Sequence, residues 1–235
     1  MVQYHKIILW KEPDSEEGGF DDIAKDAFSI MDVLQQFPSE WRPNYLPGYR
    51  KSDKRFEWNY ENFVPLLKKG ANREGKKVFS DLGYRIGFFS SLDDDESFGH
   101  SLGIGNTKFT NVLVTDIALN LDLTEKTNAD KIVLLFEKLV DRFSPYWGCI
   151  SNSYIVSEYG YFDKEKNLPK TTYWVNYFND AILDNIGREK IQEVLDKYEG
   201  VTFKDGFLKI KDTAIDFEDA ADIQLHKEID AQLGL

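Results

Sequence analysis

Residues 70–77 form the part of this sequence that comes nearest to a catalytic motif. The run Gly70-Ala-Asn-Arg-Glu-Gly-Lys-Lys77 matches the phosphate-binding loop GxxxxGK(S/T) at every position except the last. Lys77 stands where a serine or threonine hydroxyl would hold magnesium, and the pattern before Gly70 is helical where the motif requires a strand. We therefore predict a helix end, a polar turn and a new helix that carries Val78, Phe79 and Leu82.

The histidines and the cysteine offer little for catalysis or metal binding. His5, His100 and His226 are far apart in the sequence, and no HExxH, CxxC or GxSxG sequence occurs. A single cysteine, Cys149, excludes an intramolecular disulfide, and its position before Ile150 is typical of a small buried thiol. A Cys149 nucleophile assisted by His100 is the alternative. We predict that the chain is not an enzyme and uses no cofactor.

Runs of acidic residues are the remaining candidates for a binding site in this 235-residue chain, whose net charge is −12. Asp93-Asp94-Asp95-Glu96 is uninterrupted but lacks the spaced glycine and terminal acid of a calcium loop, so no metal site is predicted. Other acids cluster near the two ends of the chain, at Asp14, Glu16, Glu17, Asp216, Glu218, Asp219 and Asp222. Solvated loops are the ordinary explanation for such runs. The alternative is an acidic surface that attracts a basic protein partner.

The overall charge and hydropathy exclude several classes of ligand and location. The negative net charge argues against nucleic-acid binding, although basic residues outnumber acidic ones between residues 42 and 77. Mean hydropathy is −0.46, and no apolar run approaches the roughly 20 residues that span a bilayer. The first residues lack the apolar run and the cleavage site of a signal peptide. We expect a cytoplasmic protein with no membrane contact.

Periodicity predicts alternating groups of strands and helices. Helices are predicted at residues 20–36, 60–69, 127–143, 188–198 and 217–233, and strands at 4–10, 84–89, 98–104, 111–121, 201–203 and 207–211. This order indicates an α+β fold with mostly antiparallel sheet or sheets and helices packed on one face. We expect a single domain over residues 1–235, with loosely similar halves at 1–123 and 124–235.

The aromatic-rich stretch at residues 145–178 is predicted to hold the scaffold together. Its segments 154–159 and 172–178 are dense in β-branched and aromatic residues, so we predict two paired strands joined by a loop at 163–169. Most of these rings are expected in the core. Tyr159 and Tyr161, near the loop, are expected to be exposed enough to contact a partner.

Several short motifs resemble the immunity protein 52 family of bacterial polymorphic toxin systems. They are Asn59-Tyr-Glu-Asn-Phe-Val-Pro-Leu-Leu-Lys-Lys-Gly-Ala-Asn-Arg73, Asp81-Leu-Gly83, Leu102-Gly-Ile-Gly105, Asn111-Val-Leu-Val, Pro145-Tyr-Trp-Gly148 and Tyr173-Trp-Val-Asn-Tyr-Phe178. The resemblance implies a small cytoplasmic α+β protein that binds and neutralises a cognate toxin, often a nuclease. An acidic inhibitor would complement the basic surface with which a nuclease holds phosphates.

Two other functions are compatible with the sequence. One is a small-molecule-binding module or hydrolase, with a pocket between sheet and helices lined by Tyr154, Tyr173 or Trp174. The other is a structural component of a phage or secretion assembly. The predicted partner contacts of the immunity hypothesis are the acids named above, together with Tyr159 and Tyr161.

Overall fold

A computed structural model describes residues 3–15, 18–48, 54–163 and 165–235. Glu16 and Glu17, predicted above as partner contacts, lie outside these ranges. The α-helices are Phe20–Asp32 (α1), Tyr60–Lys69 (α2), Lys126–Phe143 (α3), Ser153–Tyr159 (α4), Asp180–Ile186 (α5), Arg188–Lys197 (α6) and Ala220–Leu233 (α7). The strands are His5–Lys11 (β1), Arg73–Glu74 (β2), Lys77–Val78 (β3), Leu82–Phe89 (β4), Gly99–Asn106 (β5), Asn111–Asp116 (β6), Trp147–Asn152 (β7), Phe162–Asp163 (β8), Leu168–Pro169 (β9), Val175–Phe178 (β10), Thr202–Lys204 (β11) and Phe207–Lys209 (β12).

Most of the strands belong to one sheet, in the order β11-β12-β10-β7-β1-β6-β5-β4. The pairs β4–β5, β5–β6, β7–β10, β10–β12 and β11–β12 are antiparallel. Strands β2 and β3 form a separate two-stranded ladder, as do β8 and β9. The α+β class with a mostly antiparallel sheet, predicted from the sequence, is confirmed.

The chain divides into two compact units, each of which is described by itself. The first, here called the C-terminal unit, comprises the chain up to Ile7, Asp122–Phe136 and Tyr146–Leu235. The second, called the N-terminal unit, comprises Ile8–Leu121 and Glu137–Pro145.

In the N-terminal unit, α1 packs against β5 and α2 packs against β4, within the antiparallel strands β4, β5 and β6. The buried face of α1 carries small and aliphatic residues at helical spacing, namely Ala24, Ala27, Ile30 and Met31. Helix α2 begins at Asn59, whose side chain accepts a hydrogen bond from the Asn62 amide, and ends at Gly70. A Cβ at Gly70 would lie 1.7 Å from the Arg85 carbonyl oxygen, so only glycine allows this close approach to the edge strand β4.

In the C-terminal unit, the six residues of β7 are all buried, which is typical of a strand covered on both faces. It pairs with β10 in a register that places Cys149 opposite Asn176 and Trp147 opposite Phe178. The part of α3 within this unit buries Ala129, Ile132, Leu135 and Phe136. These apolar residues lie at helical spacing and form one buried face of the helix.

The structure corrects the predicted pairing within the aromatic stretch. Residues 154–159 lie in the helix α4, and the strand that pairs with β10 is β7. Asn152 explains the difference, because its side chain accepts a hydrogen bond of 2.8 Å from the Tyr154 amide and caps the helix. Gly160, with a φ of 73°, then ends it.

Other boundaries also differ from the sequence-based prediction. The helix predicted to carry Val78, Phe79 and Leu82 is absent from the structure, where the turn at Gly75 joins β2 to β3 and Leu82 begins β4. The strand predicted at 111–121 ends at Asp116. Helix α5 was not predicted, although Asn179 caps it with a side-chain hydrogen bond from the Ile182 amide. Short segments with a single cap carry little periodic signal.

His100 makes stability depend on pH. It is 2% exposed, and both ring nitrogens are hydrogen-bonded: Nε2 lies 2.7 Å from the Trp41 carbonyl oxygen and Nδ1 lies 3.2 Å from Thr115 Oγ1. The carbonyl can only accept, so Nε2 carries the proton. Burial lowers the pKa of His100 from 6.5 to about 4.

We expect the free energy of unfolding to fall as pH decreases from 6.5 towards 4. In this range His100 binds a proton in the unfolded chain but stays neutral in the folded protein. The loss is up to about 3 kcal/mol. Urea unfolding at several pH values would measure it. His100→Gln keeps a donor for Trp41 but does not titrate, so its stability should decline less. Equal declines in the two proteins would contradict this assignment.

Candidate protein-binding site

The acidic run Asp93–Glu96 forms an exposed turn between β4 and β5. The Asp93 amide donates to Ser91 Oγ, and the Asp95 amide donates to the Asp93 carboxylate, both at 3.1 Å. The Asn120 amide donates to the Asp95 carbonyl oxygen at 3.1 Å and anchors the turn. The carboxylates therefore project from a fixed backbone. Within the described ranges, no group of three or more His, Cys, Asp or Glu side chains is arranged to hold a metal ion.

Asp14 has a structural role in the N-terminal unit. Its carboxylate lies 2.9 Å from Lys11 Nζ and accepts a hydrogen bond of 3.0 Å from the Gly105 amide. It lines a groove of about 470 Å³ that also contains Asp26 and Asp81. Asp26 pairs with Arg142 at 3.1 Å, and Lys108 pairs with Asp81 and lowers the pKa of that carboxyl. Cations of the same unit therefore balance much of the groove's negative charge.

The acids of the C-terminal helix divide into buried and exposed groups. Asp222 is only 7% exposed and lies on the buried face of α7. Its carboxylate accepts hydrogen bonds of 2.6 and 2.8 Å from Lys211 Nζ and one of 2.8 Å from the Asp216 amide. Asp222, predicted as a partner contact, therefore holds the start of α7 in place, and its charge does not face solvent.

Asp230 and His226 extend these polar contacts along the same face of α7. The Asp230 carboxylate accepts hydrogen bonds from both Thr171 and Thr172 hydroxyls, at 2.5 and 2.7 Å, and from the Thr172 amide at 2.7 Å. His226 Nε2 lies 2.9 Å from the Thr172 carbonyl oxygen. Sequence analysis missed this network. The signal was the spacing of Asp222, His226 and Asp230, four residues apart and so on one helix face.

The predicted contacts Tyr159, Asp216, Glu218 and Asp219 belong to a surface of aromatic and acidic side chains on the C-terminal unit, with three aromatic residues that were not predicted as partner contacts. We call it the aromatic–acidic surface and define it as Tyr4, Tyr154, Tyr159, Asp216, Phe217, Glu218 and Asp219. Tyr154 is 45% exposed, and its ring stacks on Phe217 with a centroid distance of 5.5 Å and an interplanar angle of 19°. Tyr4 is 48% exposed, and its carbonyl oxygen accepts a hydrogen bond of 2.8 Å from the Ser153 amide.

A chain of side-chain hydrogen bonds positions this surface. Asn152 Nδ2 donates to Gln3 Oε1 at 2.7 Å, and Gln3 Nε2 donates to the Asp216 carboxylate at 2.9 Å. Because Asn152 also caps α4, the same residue fixes Tyr154 on one side and, through Gln3, Asp216 on the other. The aromatic and acidic parts are thus linked before any partner binds.

Glu218 and Asp219 are exposed and lie between Phe217 and the first turn of α7. The Asp219 side chain caps that helix by accepting a hydrogen bond of 2.8 Å from the Ala221 amide. The Glu218 amide donates to Asp216 Oδ1 at 2.9 Å. These contacts fix the backbone of the acidic segment.

The two tyrosines predicted as partner contacts have different environments. Tyr159 is partly exposed, and its ring lies 6.1 Å from that of His226. Partial burial, and then the nearby Glu158, raise the pKa of Tyr159, so it is a neutral hydrogen-bonding group. Tyr161 is half-buried and packs on Tyr173 with a centroid distance of 6.0 Å. Tyr159 therefore belongs to the surface, whereas Tyr161 contributes more to packing.

The residues considered for catalysis have structural environments. Burial raises the pKa of the Cys149 thiol well above its ordinary value, so the thiol is protonated. Both ring nitrogens of His100 are already hydrogen-bonded, as described above. The stretch that resembled a phosphate loop is the β2–β3 hairpin. Among the described residues, no helix has the length and apolarity needed to cross a bilayer.

Comparisons with known proteins give a likeness of fold. No protein-family model matches the chain, and no curated protein matches it. Among solved structures, the fold is similar to that of the Pseudomonas aeruginosa T6SS protein PA0821, with a TM-score of 0.64 and 10% sequence identity. The match covers 99% of this chain and 72% of that protein. At this identity the likeness concerns the fold alone.

The Asp230 network leads to a stability prediction. Asp230→Ala should destabilise the protein by about 3 kcal/mol, because it leaves the amide and the hydroxyl of Thr172 buried without an acceptor and removes the shorter hydrogen bond of the Thr171 hydroxyl. Chemical denaturation followed by circular dichroism would measure the change. The control is Asp196→Ala, which removes an exposed carboxylate bonded to Gln192 and should cost less than about 0.5 kcal/mol. Similar values for the two variants would contradict an anchoring role.

Proposed function

We propose that this protein is an immunity protein of a secretion-linked toxin system, which binds and neutralises a basic protein toxin. The aromatic–acidic surface is the observation that carries this proposal. Exposed tyrosines stacked against other rings are expected at the centre of a protein interface, and the carboxylates that flank them are expected at its polar rim.

The chemistry of the surface indicates what kind of partner it would bind. Tyr154 offers a ring face, and Glu218 and Asp219 offer exposed carboxylates nearby in the chain. Arginine and lysine side chains can lie on the face of an aromatic ring while their charged groups pair with a carboxylate. A net charge of −12 would also accelerate encounter with a basic protein, especially at low salt.

Two further considerations support the proposal. The sequence resembles immunity protein 52, a family of toxin-neutralising proteins, and the fold is similar to that of a protein described as part of the T6SS. A nuclease is a suitable target, because the basic surface with which it holds phosphates would be attracted to an acidic inhibitor. Inhibition would then consist of covering that surface, which requires no catalytic residue in the inhibitor.

The test is neutralisation of the toxin encoded by the adjacent gene. Co-expression should restore growth of cells that produce this toxin, and the purified proteins should form a complex whose affinity falls with salt. If the protein neither binds this product nor relieves its toxicity, the proposal is wrong.

Variants of the aromatic–acidic surface sharpen this test. Tyr154→Ala should weaken the complex by about 2 kcal/mol, roughly thirtyfold, with little loss of stability because the ring is half-exposed. Glu218→Lys should slow association and reduce its salt dependence. Glu199→Lys, the same charge reversal at an exposed position outside this surface, is the matched control. Calorimetry and stopped-flow kinetics would measure these effects, and unchanged binding by Tyr154→Ala would exclude this surface.

A structural component of a secretion assembly is the second candidate, favoured by the fold likeness to a T6SS protein. This function predicts self-association that increases with protein concentration. Sedimentation velocity over a range of concentrations would detect it. A monomer at all concentrations would contradict the assembly role and leave the immunity role intact.

A further inference from the structure

The strands β4, β5 and β6 of the N-terminal unit have one buried face and one more open face. The buried face carries apolar side chains, among them Ile86, Phe88, Leu102, Ile104 and Leu113. On the open face, the strand register places Arg85 opposite Gly103 and Gly103 opposite Val112. The same register places Ser101 opposite Val114. Together they line a groove of about 450 Å³.

Gly103 keeps the floor of this groove open. Its φ lies outside the left-handed region, and a Cβ there would come no closer than 3.7 Å to the Val112 carbonyl oxygen. The fold therefore does not require glycine at this position, and a side chain would project into the groove. Arg85 lies along one side of this floor and Val112 along the other.

Phe109 lies at the end of the groove and is 64% exposed. The backbone of the loop between β5 and β6 is fixed there, because Asn106 Oδ1 accepts hydrogen bonds from the Phe109 amide at 2.8 Å and from the Lys108 amide at 2.9 Å. The ring is therefore exposed on a loop whose backbone is held by hydrogen bonds. With the half-buried Val112 and Val114, it gives the groove an apolar side that water solvates poorly.

Arg85 gives the lining of the groove a positive charge, in contrast to the negative net charge of the chain as a whole. Arg85 is exposed and makes no ion pair within the described ranges. Asn72, which also lines the groove, precedes the β2–β3 hairpin. The hairpin and the end of α2 carry five exposed cations, Lys68, Lys69, Arg73, Lys76 and Lys77, and one acid, Glu74. The four strand residues of the hairpin are all exposed and contribute nothing to the core.

The geometry points to a second docking site in this groove, for a peptide segment of a protein partner that carries both acidic and apolar side chains. A carboxylate of the segment pairs with the Arg85 guanidinium, which can bind both of its oxygens. An apolar side chain of the segment covers Val112, Val114 and Phe109. A small free anion would leave these apolar residues uncovered, so the ligand class is a peptide.

This site has a charge preference opposite to that of the aromatic–acidic surface. The protein therefore carries one surface for basic groups on the C-terminal unit and one for acidic groups on the N-terminal unit. The second site does not depend on the proposed immunity function, because nothing in its recognition chemistry involves a toxin.

The experiment uses the full chain and two fluorescein-labelled peptides, one alternating glutamate and leucine and the other alternating lysine and leucine. Fluorescence anisotropy should show saturable binding of the acidic peptide only, weakening as salt is added. Arg85→Glu should weaken it at least about tenfold, the loss of one charge-assisted pair. Ser101→Trp places a large ring in the groove from an exposed position and should weaken binding similarly.

Lys138→Glu is the matched control, since it reverses an exposed charge in the N-terminal unit outside the groove and should leave binding unchanged. Thermal unfolding would confirm that each variant folds. Equal binding of both peptides, or binding insensitive to Arg85→Glu and Ser101→Trp, would overturn the proposal. Self-association of the wild-type chain that Ser101→Trp abolishes would also overturn it, because the groove would then hold a second copy.

Discussion

The carboxylate of Asp230 is the contact on which the C-terminal unit depends most. Helix α7 buries Asp222 and His226 beside Ile229 and Leu233, so its inward face is unusually polar. Such a face is stable only if every buried polar group finds a partner. Thr171 and Thr172 supply the donors for Asp230, and this bond holds the segment that leads into the buried Tyr173 and Trp174 and then into β10.

The same helix determines which acids are available to a partner. The side chains of Asp222 and Asp230 are largely buried, whereas Glu218 and Asp219 lie exposed where α7 begins. The aromatic–acidic surface is therefore built on an anchored helix start and on α4, which Asn152 caps. Groups fixed in this way lose little conformational entropy on binding, which favours affinity.

Elements and exposures that neighbouring residues determine could largely be predicted from the sequence, whereas contacts between residues distant in the sequence could not. Helix α2 was predicted with the bounds that the structure shows, because a cap at Asn59 and glycine at its end agree with its periodicity. Residues 154–159 were assigned to a strand from their β-branched and aromatic composition, which the single cap at Asn152 outweighs. In the candidate site, the exposure of Tyr159 followed from its place near a loop. The burial of Asp222 did not, because Lys211 meets it only in the folded chain.

The position of Cys149 has a practical consequence. It is the chain's one cysteine, and it lies buried and protonated in the fully buried strand β7, paired with β10. A thiol reagent can modify it only when that strand pair separates and the thiolate forms. The rate of labelling would therefore report the opening equilibrium of the sheet at this point, with no need for an introduced probe.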